Sequence, residues 1–361
     1  MNTRNSSTLK IGVIGYGYWG PNVVRNFYNA DNATVAYVAD LSPKSLQRVR
    51  QTYPTMPVTT NPAEVFADPG IDAVAIVTPI TYHFPLAKQA LESGKHVFVE
   101  KPFTATTAQA EELIELAERK NLLIMVDHTF LFNGAVRKIH ELISSGTLGN
   151  LYYYDSTRVN LGLFQHDANV VWDLAPHDLS IIDYLIEDVP EAIVATGEKH
   201  VNGTEDMAFI TIYFPNKVIA HLNLNWLSPV KVRTTLIGGE KKMLVWNDLE
   251  ADEKIKVYDK GIECSNGSSG YDLRVSYRTG DLWVPRIEQV EALTREAQYF
   301  VSCVLSGETP FNDGRAGLRV VRMLEAIDRS IAHKGKMVHC GSGMSKPVPS
   351  QAAAQMRSAS A

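Results

Sequence analysis

Gly15-Tyr16-Gly17-Tyr18-Trp19-Gly20 follows the apolar run Lys10–Ile14 and opens a helical pattern over Gly20–Asn29. Gly-x-Gly-x-x-Gly is a weak signal by itself. Between a strand and a helix it is the entry to a βαβ unit that binds a dinucleotide. Gly15 permits the tight turn, Gly17 lets a pyrophosphate approach the backbone, and Gly20 lets helix pack on strand. The pyrophosphate then meets the free N–H groups and positive end of the helix. Tyr16, Tyr18 and Trp19 lie in the same loop and are expected at the cofactor.

The next strand, Thr34–Ala39, ends at Asp40, 20 residues past Gly20. A carboxylate there accepts hydrogen bonds from ribose hydroxyls and repels a 2′-phosphate. Leu41 and Ser42 follow it, not an arginine, so NAD is expected rather than NADP. Working outward, Pro43–Tyr53 reads as helix, Ala73–Val77 as strand, Tyr82–Ser93 as helix and His96–Val99 as strand. Thr106–Lys120 is again helical and Leu122–Val126 is a strand. Strands and helices alternating at this spacing mean a doubly wound parallel sheet.

Past Asp127 the pattern changes. Helices are expected at Ala135–Ser144 and near Leu174–Ile186, with a strand at Leu151–Val159 between them. Strand-like runs follow at Ile193–Ala195, Ala208–Phe214, Val218–Trp226, Lys231–Ile237 and Lys242–Trp246. Two helices close the chain, near Arg286–Ser306 and Asp313–Lys334. The fold class is α/β: a Rossmann domain over 1–127, then an α+β domain over 128–340 with a large, mainly antiparallel open sheet. The last helix is expected to pack back toward the first domain. The Ala/Ser-rich tail 341–361 is expected to be disordered.

A hydrophobic share of 45% and a charged share of 21% are those of a soluble globular protein. The formal net charge is -5, with no long basic run, which argues against nucleic acid or an anionic membrane as partner. No apolar run approaches the roughly 20 residues that span a bilayer. The polar N-terminus lacks the apolar core of a signal peptide. Cys264, Cys303 and Cys340 are widely spaced and fit a reducing compartment. A cytoplasmic address is expected. No His/Cys cluster supports a metal.

Thr78-Pro79 and Glu100-Lys101-Pro102 end strands, where open α/β sheets bind ligands. A lysine beside a cationic nicotinamide gives up its proton more readily, which suits exchange with a hydroxyl. A solvated lysine paired with Glu100 is the plain alternative. His83 follows Thr78-Pro79 and is expected either to line the cofactor cleft or to begin a helix. His128 could face the cleft. The stretch Trp172-Asp173-Leu-Ala-Pro176-His177-Asp178 begins a helix. Asp173 fits its N-cap, with Pro176 in the first turn. Four residues apart, Asp173 and His177 can reach one side of that turn. A histidine near the positive end of the dipole tends to stay neutral and can accept a proton.

Taken in order, Gly15–Gly20, Thr78-Pro79 with His83, Glu100-Lys101-Pro102 and Asp173-x-x-x-His177 resemble the glucose–fructose oxidoreductase / inositol dehydrogenase (Gfo/Idh/MocA) family over roughly residues 9 to 340. The resemblance implies NAD-dependent oxidation or reduction of a carbohydrate, with Lys101, Asp173 and His177 catalytic. It also implies dimers or tetramers built on the second sheet. A narrower likeness, carried by Gly17-Tyr-Trp-Gly20-Pro21-Asn22, Arg158-Val-Asn160-Leu-Gly162-Leu-Phe164-Gln165 and Trp172–Asp178, is to bacterial sugar-nucleotide 3-dehydrogenases acting on UDP-N-acetylglucosamine or its uronic acid. It implies Arg158, Asn160 and Gln165 as contacts to the sugar or diphosphate; a polar loop after a strand is the plain alternative. Leu131 stands where many relatives carry an arginine. An inositol or free-sugar dehydrogenase, a glycoside-cleaving relative and a non-catalytic NAD-binding regulator are the other readings of the same motifs.

Overall fold

The computed structural model of the chain describes residues 8–162, 168–266, 273–341 and Lys346. Gln165, and all of the tail beyond 341 except Lys346, lie outside them. The first half runs β1 Leu9–Ile14, α1 Gly20–Asn29, β2 Ala33–Ala39, α2 Pro43–Thr52, β3 Val58–Thr59, α3 Pro62–Ala67, β4 Ala73–Ile76, α4 His83–Glu92, β5 His96–Glu100, α5 Thr107–Lys120 and β6 Ile124–Asp127. Its six strands pair in the order β3-β2-β1-β4-β5-β6, all parallel. The chain reverses direction of growth between β1 and β4, so their C-terminal ends flank a crevice.

The second half runs α6 Gly134–Ser144, β7 Leu151–Leu161, α7 Val170–Leu185, β8 Ala192–Glu198, β9 Met207–Tyr213, β10 Ile219–Asn225, β11 Leu227–Gly239 and β12 Met243–Asn247. It ends with β13 Ile255–Asn266, β14 Leu273–Trp283, α8 Ala292–Ser306, α9 Gly314–Ala332 and β15 Val338–His339. Nine strands pair as β14-β13-β12-β11-β7-β10-β9-β8-β15. The sheet is antiparallel except where β10 runs parallel to β7.

β9 and β10 alternate buried and part-exposed residues, as strands with one covered face do. The cover is α7, whose apolar Val171, Ala175, Leu179 and Ile182 are buried. The closing helices tie the halves together. Phe300 of α8 is fully buried against Phe27 of α1 and Phe98 of β5, with ring centroids 5.8 and 5.6 Å away. Leu318 and Val321 of α9 join the core beside α5 and β6, while Val320 and Leu324 join that of the second sheet.

The sequence pattern missed β3, α3, β13, β14 and β15. β13 buries Ile255 and Val257 at its start, then carries Asp259, Lys260 and Glu263, and it pairs with β12 on one side and β14 on the other. The helix expected from Arg286 starts at Ala292, after an extended segment that packs Ile287 against Gly134.

Candidate active site

The nucleotide loop is shaped by what it cannot contain. Gly15 sits at φ +103°, and a Cβ there would lie 2.1 Å from the Val77 carbonyl oxygen. A Cβ on Gly20 would lie 2.4 Å from the Gly15 carbonyl oxygen. Around Gly17, by contrast, nothing lies within 4 Å of a Cβ position. The loop is closed below and open above Gly17, as a cradle for a pyrophosphate requires. Above it, α1 starts with no side-chain cap and no acidic residue in its first turn, whereas α2, α3 and α5 are capped by Ser42, Asn61 and Thr106. Its free N–H groups are left for an anion.

Asp40, the residue expected at the ribose, is held by the backbone around it. Its Oδ2 accepts from Tyr16 N–H at 2.6 Å and its Oδ1 from Ser42 N–H at 2.8 Å. Each oxygen keeps lone-pair capacity for a hydroxyl. Arg48, which the motifs did not single out, donates to the Tyr16 carbonyl at 2.9 Å and braces the loop. Tyr18 is 90% exposed, whereas Tyr16 is buried. Trp19 donates its indole N–H to Asp127 at 3.1 Å, linking the loop to the end of β6. At the mouth, Thr78 Oγ1 and Glu100 Oε2 are buried without partners. Burial, then the neighbouring Asp127, lifts the Glu100 carboxyl well above the usual range. Gly20→Ala forces its Cβ into the Gly15 carbonyl. It is expected to cost about 1–3 kcal/mol in stability or NAD binding, read by thermal melting and calorimetric titration; unchanged values in both would mean the loop is slack.

Lys101 follows β5 directly. Its ammonium reaches α7, donating to the Asp173 carbonyl at 2.9 Å and lying 3.4 Å from Asp173 Oδ1. The partner is therefore Asp173, not Glu100. The two side chains are only 15% and 23% exposed. The helix that carries Asp173 differs from the expected one. Asn169, not Asp173, is the N-cap, accepting from Trp172 N–H, and the helix starts at Val170. Pro176 thus falls in the second turn, where its missing N–H leaves the Trp172 carbonyl without its helical donor.

His177 stands two turns in, beyond the reach of the helix end, which acts over the first turn. It is still held neutral, but by burial first and then by the cations Lys101, Arg158 and Arg233, which push its pKa well below 6.5. No hydrogen bond joins it to Asp173 among the described residues; the ring meets Phe130 edge-on, centroids 4.9 Å apart. Asp173 orients Lys101, not His177.

Other histidines are corrected as well. His83 does not line the cleft: it is buried, with Nδ1 2.8 Å from the Pro102 carbonyl and Nε2 2.8 Å from the Thr78 carbonyl. It begins α4 and clamps the two loops from below. Pro79, above it, is exposed. His128 is enclosed, and burial lowers its pKa to about 4.

Arg158 is not a free substrate contact. It is buried on β7, with Nε 2.7 Å from Asp178 Oδ2, and its guanidinium lies 4.7 Å from the Phe130 ring. Asp178 also accepts from Ser156 at 2.8 Å. Asn160 is half-buried two residues on. The residues missed by motif reading are Phe130, Asp178 and Arg233. Asp178 adjoins His177 in the sequence, but what it meets was set by sheet register.

Among the described residues no group of His, Cys, Asp and Glu could hold a metal, and no helix is long and apolar enough to cross a membrane.

Residues 9–128 match the family model for the oxidoreductase family with NAD-binding Rossmann fold, and residues 136–245 match the Gfo/Idh/MocA C-terminal domain, together more than half of the chain. The chain is 26% identical to UDP-N-acetylglucosamine 3-dehydrogenase of Acidithiobacillus ferrooxidans over 87% of its own length and 94% of that protein. It is 26% identical to the NAD-dependent scyllo-inositol 2-dehydrogenase of Bacillus subtilis over 84% and 87%. The solved structure of the Acidithiobacillus enzyme superposes with a TM-score of 0.75 at 23% identity, covering 90% of this chain and 98% of that one. With a glycine cradle, an uncapped helix start and the carboxylate of Asp40 at the end of β2, the chain belongs to the Gfo/Idh/MocA family of oxidoreductases and binds NAD.

Proposed function

We propose that the protein is a dehydrogenase of a carbohydrate ring hydroxyl, with Lys101, Asp173 and His177 at the reacting carbon. The observation that carries this is the meeting of Lys101 with Asp173 across the two halves of the chain, one turn from a neutral His177. The substrate we favour is a UDP-N-acetyl-hexosamine or its uronic acid, oxidised at C3 for surface-polysaccharide sugars. The likeness to UDP-N-acetylglucosamine 3-dehydrogenase over most of both chains supports it. We place the protein in the cytoplasm, as a homodimer or homotetramer built on the second sheet.

Bound NAD supplies the acceptor for the hydride that leaves the hydroxyl carbon. Lys101, fixed by Asp173, holds the hydroxyl oxygen through its remaining N–H. His177 accepts the hydroxyl proton, which a neutral imidazole can do. Residues on a rigid strand end and helix turn keep the reactants aligned. Thr78, Pro79, Glu100 and Lys101 are assigned to the nicotinamide end, and Asn160 to the sugar; Gln165, assigned to the sugar by resemblance alone, lies outside the described residues.

The test is a spectrum of concentrated protein with NAD and, separately, UDP-N-acetylglucosamine, its uronic acid, myo-inositol and glucose. Reduced nicotinamide, even once per site, is expected with a UDP-sugar. A response to myo-inositol or glucose alone would move the substrate to a free polyol or sugar. No response to any compound, with NAD bound, would overturn the dehydrogenase reading in favour of a regulator.

A further inference from the structure

In the antiparallel ladder between β7 and β11, Arg233 lies directly opposite Arg158. Residues so paired share a face, and like charges placed there repel. The face is the covered one: the flanking pairs are Ser156 with Thr235 and Tyr154 with Ile237, all buried except for the arginine edge. The same face receives α7, and so His177.

The available carboxylates do not neutralise this pair. Asp178 is committed to Arg158, through Nε at 2.7 Å and Nη2 at 3.5 Å. Arg158 Nη1 remains buried with no partner. Asp248 serves two cations: it lies 3.7 Å from Arg233 and 3.6 Å from Lys254. The first distance is too long for a hydrogen bond. The Arg233 side chain keeps 35% of its surface exposed, so it can be reached by a solute, and it is close enough to His177 to act on its charge state. Phe130 spans the ground between, its ring against both Arg158 and His177. A repulsive pair, one unspent N–H group and a shared carboxylate leave room for one more negative charge beside the proposed proton acceptor.

We propose that Arg233, backed by the charge of the buried Arg158, forms a receptor for an oxyanion carried by the substrate, which makes the substrate an acidic sugar rather than a neutral one. The proposal rests on the dehydrogenase reading above and narrows it. Planar, forked guanidinium groups suit a carboxylate or phosphate better than an ammonium would. The oxyanion has two possible sources: a uronate carboxylate on the ring, or the diphosphate of a sugar nucleotide.

Arg233→Met is the variant to make, because truncating Arg158 would strand Asp178 in the interior. Arg119→Met, on the exposed face of α5, controls for the loss of one positive charge. Arg233→Lys tests for rescue by charge alone. Reduction of NAD is followed in the full chain with UDP-N-acetylglucosamine, its uronic acid, glucuronic acid and glucose. Binding of UDP and of glucuronate is measured by calorimetry. Arg233→Met is expected to raise KM for the acidic substrate about tenfold or more, with a thermal midpoint no lower than that of the parent. Arg233→Lys should recover part of the loss, and Arg119→Met should change nothing. A loss confined to the uronic acids assigns the oxyanion to a carboxylate. An equal loss for both UDP-sugars assigns it to the diphosphate. If glucose reacts as well as the acids, or Arg233→Met leaves every KM in place, the receptor is refuted while the dehydrogenase stands. If UDP or glucuronate binds in an Arg233-dependent way but no compound yields NADH, the receptor stands and the dehydrogenase reading falls.

Discussion

Turnover of the Lys101→Met variant is expected to fall by about two to four orders of magnitude, the scale of losing the cation that holds the hydroxyl oxygen in place for proton transfer to His177. Methionine keeps the length and apolar stem of lysine, so the end of β5 should remain in place. NAD binding should therefore persist, since the glycine loop, α1 and Asp40 are untouched. Single-turnover formation of NADH is the measurement. A rate within threefold of the parent would remove Lys101 from the reacting carbon.

The same variant carries a second signature. Burial and nearby cations hold the His177 pKa well below 6.5, with Lys101 first among those cations. A base with a lowered pKa stays deprotonated to lower pH. The parent should thus keep its oxidation rate from neutrality downward and lose it only well below pH 6.5. Removing the Lys101 charge makes protonation of His177 easier. The acid limb of the residual activity should shift upward, toward 6.5. A limb that stays in place would mean that a different group titrates.

The first domain was legible because its strands are short apolar runs punctuated by glycine, proline and charged helices. Each βα unit can be read by itself there. The three glycines of the loop announced a backbone whose Cβ positions are blocked at Gly15 and Gly20 and open at Gly17. The second sheet was harder. β13 and β14 alternate apolar residues over only part of their length, at Ile255 and Val257 and at Leu273, Val275 and Tyr277, and turn mostly polar beyond them. The site followed the same division. Lys101, Asp173 and His177 sit in short motifs at element ends. The cap of α7 was misplaced because Asp173 and Asn169 are both good N-cap residues, and only the start of the helix at Val170 decides between them. The histidine expectation reached the right charge state through the wrong cause: the dipole fades over one turn, whereas burial and three cations act at the ring itself. Arg158 shows the limit most clearly. Its place after a strand pointed to a ligand, but register turned it inward onto Asp178 and set Arg233 across from it.

Asp178→Ala is expected to destabilise the protein by about 3–5 kcal/mol, because it leaves the buried Arg158 guanidinium without its counter-charge. The Arg158 side chain is 6% exposed and that of Asp178 is 0%. Among the described residues Asp178 is the acceptor for the Arg158 Nε, and Ser156 would lose its acceptor too. Urea unfolding reads the change; a loss under about 1 kcal/mol would show that water or a rearranged side chain reaches Arg158. Asp178→Asn should cost less, since the amide oxygen still accepts from the guanidinium. A double variant, Asp178→Leu with Arg158→Met, should recover much of the stability, since removing both members of a buried pair leaves no stranded charge. Activity should not recover with it. Asp178 ties α7 to β7 one residue past His177, so the double variant keeps a folded core but loses the tie that fixes the helix register. If the double variant regained both stability and turnover, the ion pair would serve the fold alone, and α7 would be held in register by its apolar face.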